Sequence, residues 1–332
     1  MKNVIYLFIL VICACSPSDN KILVANSGET QGTYYHIKYL SPQGESFQFQ
    51  IDSLLTEIDS SVSIYKPYSI ISKLNDGEEI KTDEIFNLVY FDALQVGRNT
   101  EGYFDCTVSP LVKYWGFYNN DTNEVKVDSV AIQSIMKKVG IDKMTWKDSR
   151  VVLAEGVKLD FNAIAQGTSV DLIAMLLEEK GIFNYLIEVG GELKAKGVNA
   201  DGNVWRVGID KPSEEIDFQN RFQFILDLKD KALATSGNYR KFYVRDGVKY
   251  AHTINPKTGF PSQNRLLSVT VVTSDCSLAD AYATAFMAMG LKKTKQIIKT
   301  LDDDIEIYIV YTDKNGDWKV YMSPEMKKRI VN

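Results

Sequence analysis

Two rhythms of apolar and polar residues run along this chain, and each predicts its own kind of element. Alternation with period two predicts strands at 33–40, 151–153, 156–161, 185–189, 205–209, 223–229, 241–245, 267–273 and 305–311. Apolar positions three and four apart predict helices at 49–60, 82–100 and 169–180, the last lying between two of the strands. Asp246-Gly247 and Asn315-Gly316 supply two-residue turns that suit hairpins. Strands joined by short turns, with helices between some of them, predict a mixed α+β fold with largely antiparallel sheets.

The first twenty residues break both rhythms. Lys2 precedes an apolar run from Val4 to Ile12, followed by Cys13-Ala14-Cys15-Ser16-Pro17. A positive start, a short apolar core and a small residue before a cysteine define an export signal too short to span a bilayer comfortably. The Ala14-Cys15 step resembles a bacterial lipoprotein cleavage site. Residues 1–14 are therefore expected to be removed, Cys15 to carry lipid, and 15–20 to tether the domain at 21–332. An ordinary secretory signal or an uncleaved anchor are the alternatives. Acyl chains on Cys15 would hold the protein at a membrane surface, and no later run reaches spanning length.

Composition narrows the chemistry. With 45% of residues apolar, the roughly 310 left after processing can fill the core of one large or two-lobed domain. The histidines are His36 and His252, and the cysteines left after processing are Cys106 and Cys276, which gives no zinc or iron–sulfur spacing. One disulfide between those cysteines is an option in an oxidising compartment. A net charge of −5 with no basic block provides no electrostatic footprint for nucleic acid.

Candidate chemistry centres on the stretch from Ser274 to Gly290. Asp280 and Thr284 stand four apart among small apolar residues, on one face of a helix. A carboxylate among alanines, Phe286 and Met287 is costly to bury unless paired or bound to a cation, and two oxygen donors one turn apart suit Mg²⁺. A local cap or local pairing is the competing reading of Asp280. Five further segments concentrate polar side chains at glycine-bearing turns: 102–111, 160–167, 188–192, 234–239 and 252–259. Of these, 160–167 ends a predicted strand and opens a helix, where free N–H groups can receive an anion. Each alone also reads as a plain turn.

Taken in order, these segments resemble one family along nearly the whole mature chain. The matches are Gln31-Gly32-Thr33, Ser63-Ile64-Tyr65 with Ser72-Lys73-Leu74-Asn75, the Gly102 to Leu111 loop, Asp160 to Asp171, Glu188 to Glu192, Thr235-Ser236-Gly237-Asn238-Tyr239, His252 to Gly259, and Asp280 to Thr284. They are similar to the ApbE family of FAD:protein FMN transferases, many of which are lipoproteins facing the periplasm. The resemblance implies a T-fold-like architecture of antiparallel sheets and helices, with two lobes around an FAD site. It also implies transfer of FMN from FAD to a threonine or serine hydroxyl of an exported acceptor protein, with release of AMP.

Carried over residue by residue, the resemblance implies that Mg²⁺ is held by the side chains of Asp280 and Thr284 and by the backbone carbonyls of Ala163 and Ala283. Gln31, Asp105, Asp160, Gln166 and Thr253 match FAD-contacting positions. Tyr65, Tyr103 and Phe104 are candidates for stacking on flavin or adenine, with core packing as their other reading. His252 is the candidate base, and the alternative is that it orients its turn while Asp280 or a metal-bound group takes the proton. The chain departs from the common pattern at Gln31, Gln166, Asn238 and Asn255, where many members carry Met, Lys or Glu, Asp and Asp. Two other functions share these residues: an FAD pyrophosphatase yielding FMN and AMP, and a flavin-binding lipoprotein without activity.

Overall fold

The computed structural model describes residues 21–118, 127–148, 150–212, 221–238, 242–245, 248–251, 253–301 and 304–331, the backbone alone for 242–245 and 248–251. The amino-terminal half runs β1 (Ile22–Thr30), β2 (Thr33–Ser41), α1 (Gln48–Val62), α2 (Ile70–Asn75), α3 (Glu84–Asn99), α4 (Ser109–Tyr114), α5 (Ser129–Met136), β3 (Met144–Lys147), β4 (Arg150–Leu153) and α6 (Ala165–Glu179). It continues through β5 (Tyr185–Val189), β6 (Glu192–Lys196), β7 (Arg206–Asp210), β8 (Phe222–Asp227), β9 (Lys231–Gly237), β10 (Phe242–Arg245) and β11 (Val248–Ala251). The last part holds β12 (Leu266–Thr273), α7 (Cys276–Ile297), β13 (Glu306–Thr312), β14 (Trp318–Met322), α8 (Pro324–Arg329) and β15 (Ile330–Val331).

An eight-stranded sheet in the order β1-β2-β5-β6-β9-β12-β13-β14 forms the backbone of the molecule, and every strand pair in it is antiparallel. Alternation assigns its two faces. Val269 and Val271 of β12 and Ile307 and Ile309 of β13 join the large core under α1, α3, α6 and α7. Their neighbours Val272, Tyr308 and Val310 turn to the other side, onto β7, β8 and Met326 of α8. The centre of the sheet is thus covered on both faces, which makes β12 and β13 read as nearly continuous apolar runs.

Several expectations change in the structure. The stretch 156–161 is a turn with a single parallel bridge, Val108 to Lys158, because the Asn75 side chain takes both Leu159 N–H (2.7 Å) and C=O (2.9 Å) in place of a strand partner. The supposed polar turn at Ala234 to Gly237 lies inside β9, where Thr235 meets Thr270 across the strands at 2.9 Å. α6 begins at Ala165, four residues before the predicted start. β1, β3, β6, β11, β14 and β15 are additional strands. α7 runs past Gly290, whose φ of +78 breaks the helix. Ser262 and Asn264 side chains receive carbonyls at that break, donating to Met287 and Ala288. Cys106 and Cys276 are separate buried thiols. No helix among the described residues is long and apolar enough to cross a membrane.

Candidate functional site

The site lies where two hairpin turns and two helix starts converge. The turn between β1 and β2 needs left-handed backbone at both central residues, with φ of 50 at Gln31 and 72 at Gly32. The turn between β5 and β6 does the same with Gly190 and Gly191, and Gly190 N–H is bonded to Tyr34 C=O at 3.0 Å. Gln166, in the first turn of α6, packs so closely on Gly190 that a Cβ there would stand 2.5 Å from its Nε2. Gln31 donates to Ser169 Oγ of the same helix at 2.8 Å, while its buried Oε1 has no partner among the described residues. Gln31, Gln166 and the start of α6 are therefore brought together, with one buried acceptor unused among the described residues.

Asp280 sits in the second turn of α7, buried against α6, so it does not cap its own helix. Its Oδ2 accepts from Gly167 N–H at 3.3 Å, across the helix interface. Only glycine permits this approach, because a Cβ at Gly167 would lie 2.3 Å from the Cys276 carbonyl oxygen. Burial pushes the Asp280 carboxyl up to about 7, with the Gly167 N–H opposing. Backbone N–H groups of Ala165 and Thr168 bond to Phe161 and Ile164 carbonyls, whereas that of Gly167 turns to Asp280. No backbone N–H among the described residues bonds to the Ala163 carbonyl. Thr284 is half-buried one turn beyond Asp280 on the same face. Ala283 is inside α7, where its carbonyl belongs to the helix, so it offers the least free acceptor of the four.

A second cluster surrounds Asp160, which is buried and receives Tyr118 Oη (2.7 Å) and Asn162 N–H (2.8 Å). Burial raises its carboxyl while these two donors pull it down. Tyr65 is 63% exposed, reached by Asn162 Nδ2 at 3.4 Å and set edge-on to Tyr118 at 6.4 Å, so it presents a free ring face. Asp160 N–H bonds to Cys106 C=O at 2.7 Å, which ties the 103–107 loop to this cluster.

The remaining candidates divide. Phe104 is 3% exposed within the main core, which gives it the packing role rather than an open face. Tyr103 is half-buried. Asp105 is buried and accepts Thr107 N–H (2.8 Å) and Thr107 Oγ1 (2.5 Å), a local turn that shapes the loop. Thr253 donates to Asn238 Oδ1 at 3.0 Å, linking its turn to the end of β9. His252 and Cys15 lie outside the described residues. Sequence reasoning missed Tyr118, Asp92 and Lys194. No local pattern flags these pairings, since Asp160 lies 42 residues from Tyr118, Ser277 lies 185 from Asp92, and the carboxylates at Lys194 lie 23 and 81 away.

A buried carboxylate at the start of a neighbouring helix, with a half-buried hydroxyl one turn on, supplies oxygen donors of the kind a hard divalent cation takes. The fold and site define an α+β protein with an antiparallel sheet and a buried acidic centre between two helices. The sequence profile of the ApbE family matches residues 31–309, and the chain belongs to that family. It is 34% identical over 329 residues to the FAD:protein FMN transferase of Vibrio cholerae serotype O1, covering 96% of each chain. The FAD:protein FMN transferase of Escherichia coli K12 is 30% identical over 321 residues, covering 92% of this chain and 88% of that one. Among solved structures, the flavin transferase ApbE from Vibrio cholerae superposes with a TM-score of 0.83 at 34% identity, covering 93% of this chain and 99% of that one. The apo flavinyl transferase ApbE of Pseudomonas stutzeri gives 0.83 at 28% identity, covering 93% and 97%.

Proposed function

We propose that this chain is an FAD:protein FMN transferase that moves FMN onto a threonine or serine hydroxyl of an exported acceptor protein and releases AMP. The observation that carries the reading is Asp280, a buried carboxylate with no cationic side chain beside it among the described residues, set against the start of α6 in a chain of the ApbE family. Asp280, Thr284 and the Ala163 carbonyl would hold Mg²⁺, with Ala283 contributing least. The ion, when bound, offsets the negative charge of the pyrophosphate and of the leaving AMP.

This chain's own residues do the positioning. Gln31 accepts an N–H from the ligand through its unused Oε1, and Gln166 lines the same corner beside Gly190. Asp160 and Tyr65 hold the other end of FAD, with Tyr65 stacking on an aromatic ring. The acceptor oxygen attacks the FMN-side phosphorus, a P–O bond forms as the P–O bond to AMP breaks, and His252 takes the hydroxyl proton. Lipid on Cys15 would place this chemistry at a membrane surface outside the cytoplasm, where the acceptor presents its hydroxyl on an exposed segment.

The test is incubation with FAD, Mg²⁺ and a threonine-bearing acceptor, read by mass of both protein and nucleotide products. Covalent FMN on the acceptor with stoichiometric AMP is expected. FMN and AMP free in solution with an unmodified acceptor would overturn the transferase reading. His252→Ala should slow turnover roughly a hundredfold with FAD binding retained. Cys15→Ser should move the protein from membranes to the soluble or unprocessed fraction.

A further inference from the structure

α7 opens without help from its own cap, since the Asp275 side chain takes no first-turn N–H. Asp171 supplies the cap from α6: its Oδ2 accepts Ser277 N–H at 2.9 Å, and Cys276 N–H also faces it. A carboxylate at a helix start satisfies orphan donors and meets the positive end of the helix. Asp171 is itself buried, and Lys194 of β6 compensates it at 2.7 Å while reaching Asp275 at 3.3 Å. Burial lowers the Lys194 pKa, but the two carboxylates beside it outweigh that and hold it above the ordinary lysine value. On the far side, Ser277 Oγ donates to Asp92 Oδ2 of α3 at 2.8 Å.

Three residues after Ser277 comes Asp280, bonded back to Gly167 of α6. The two helices therefore cap one another, with Asp171 serving the start of α7 and Asp280 meeting the start of α6. We propose that Asp171 and Lys194 are positioning residues for the cation site, fixing the first turn of α7 and with it the place of Asp280 and Thr284 against the start of α6. The inference rests on the metal reading given under the proposed function. Mg²⁺ demands near-ideal geometry and so registers a small displacement of one ligand-bearing turn. Without Lys194, Asp171 faces Asp275 and Asp92 uncompensated, and the turn loses its anchor.

The test measures binding of Mg²⁺ by calorimetry to the full domain saturated with ADP, the probe that carries the adenosine and diphosphate of FAD. Lys194→Met and the isosteric Asp171→Asn should each weaken Mg²⁺ roughly tenfold or more, as loss of an outer-shell partner does, and Lys194→Arg should stay near wild type. ADP affinity in EDTA should be unchanged in all three. Wild type that takes up no Mg²⁺ defeats the metal reading and this inference with it. Wild type that binds the ion, with both variants matching it, overturns the positioning role alone. Equal losses of ADP in EDTA and of Mg²⁺ would mark a general structural role and overturn it as well.

Discussion

Asp171 and Asp280 are both buried at the interface of α6 and α7, and the molecule treats them in opposite ways. Asp171 has a lysine at 2.7 Å and a backbone N–H at 2.9 Å. Asp280 has, among the described residues, one N–H at 3.3 Å, and its carboxyl is pushed up to about 7. A fold that needed Asp280 only for stability would have paired it, as it did Asp171 and also Glu306, which Arg329 grips at 2.6 and 2.8 Å. On the proposed function, the contrast is between a carboxylate that holds structure and one kept available for chemistry.

The sharpest way to break this comparison is Asp280→Ala. Transfer should fall on the order of a thousandfold or more, several kcal/mol of lost charge stabilisation, while circular dichroism stays native. Retained turnover, or a wild type indifferent to EDTA, would place Asp280 with the structural acids.

Stability should then move in opposite directions at the two positions. Folded Asp280 keeps its proton to about pH 7, whereas the unfolded chain releases it near 3.8, so the folded form holds the extra proton between those values. Raising pH through that window therefore costs the metal-free protein stability, fully above 7 and not at all below about 4. Asp280→Asn removes this penalty and should stabilise the metal-free protein at pH 8 by on the order of 3–4 kcal/mol, the two converging toward pH 4 in urea titrations. Asp171→Ala should instead cost about 3 kcal/mol at neutral pH, because it leaves Lys194 buried without its main partner.

Smaller changes sharpen the same picture. Gly167→Ala forces a Cβ to 2.3 Å from Cys276 C=O and should cost about 1–3 kcal/mol in chemical denaturation as the helices part. Asp92→Asn removes charge from one hydrogen bond at the edge of the network and should cost about 1 kcal/mol or less. A loss at Asp92 as large as that at Asp171 would mean that the network is centred elsewhere.

The sequence made the apolar strands and the helix carrying Asp280 and Thr284 legible, because alternation and the spacing of those two residues are local patterns. β6 was hidden because Glu192, Lys194 and Lys196 read as a solvated face, whereas Lys194 is drawn inward by carboxylates from two helices. β9 was hidden because Thr235 and Ser236 look like turn residues until a central sheet position supplies Thr270 as a partner. The clamp on α7 was out of reach for a different reason. Asp171 meets Ser277 across 106 residues and Asp92 meets it across 185, distances that no periodicity spans.

The two buried thiols lend themselves to use as reporters. Burial raises the pKa of both Cys106 and Cys276 well above the ordinary value, so neither offers thiolate to an alkylating reagent while the fold is closed. Cys276 is the first residue of α7 and donates to Leu193 C=O at 3.4 Å, whereas Cys106 lies against Met144 at 3.7 Å. In a protein beginning at Lys21, labelling of Cys276 would clock each opening of the helix pair, and labelling of Cys106 would clock opening near the β3–β4 hairpin. Saturation with magnesium and nucleotide should slow the first clock and leave the second ticking at its own rate.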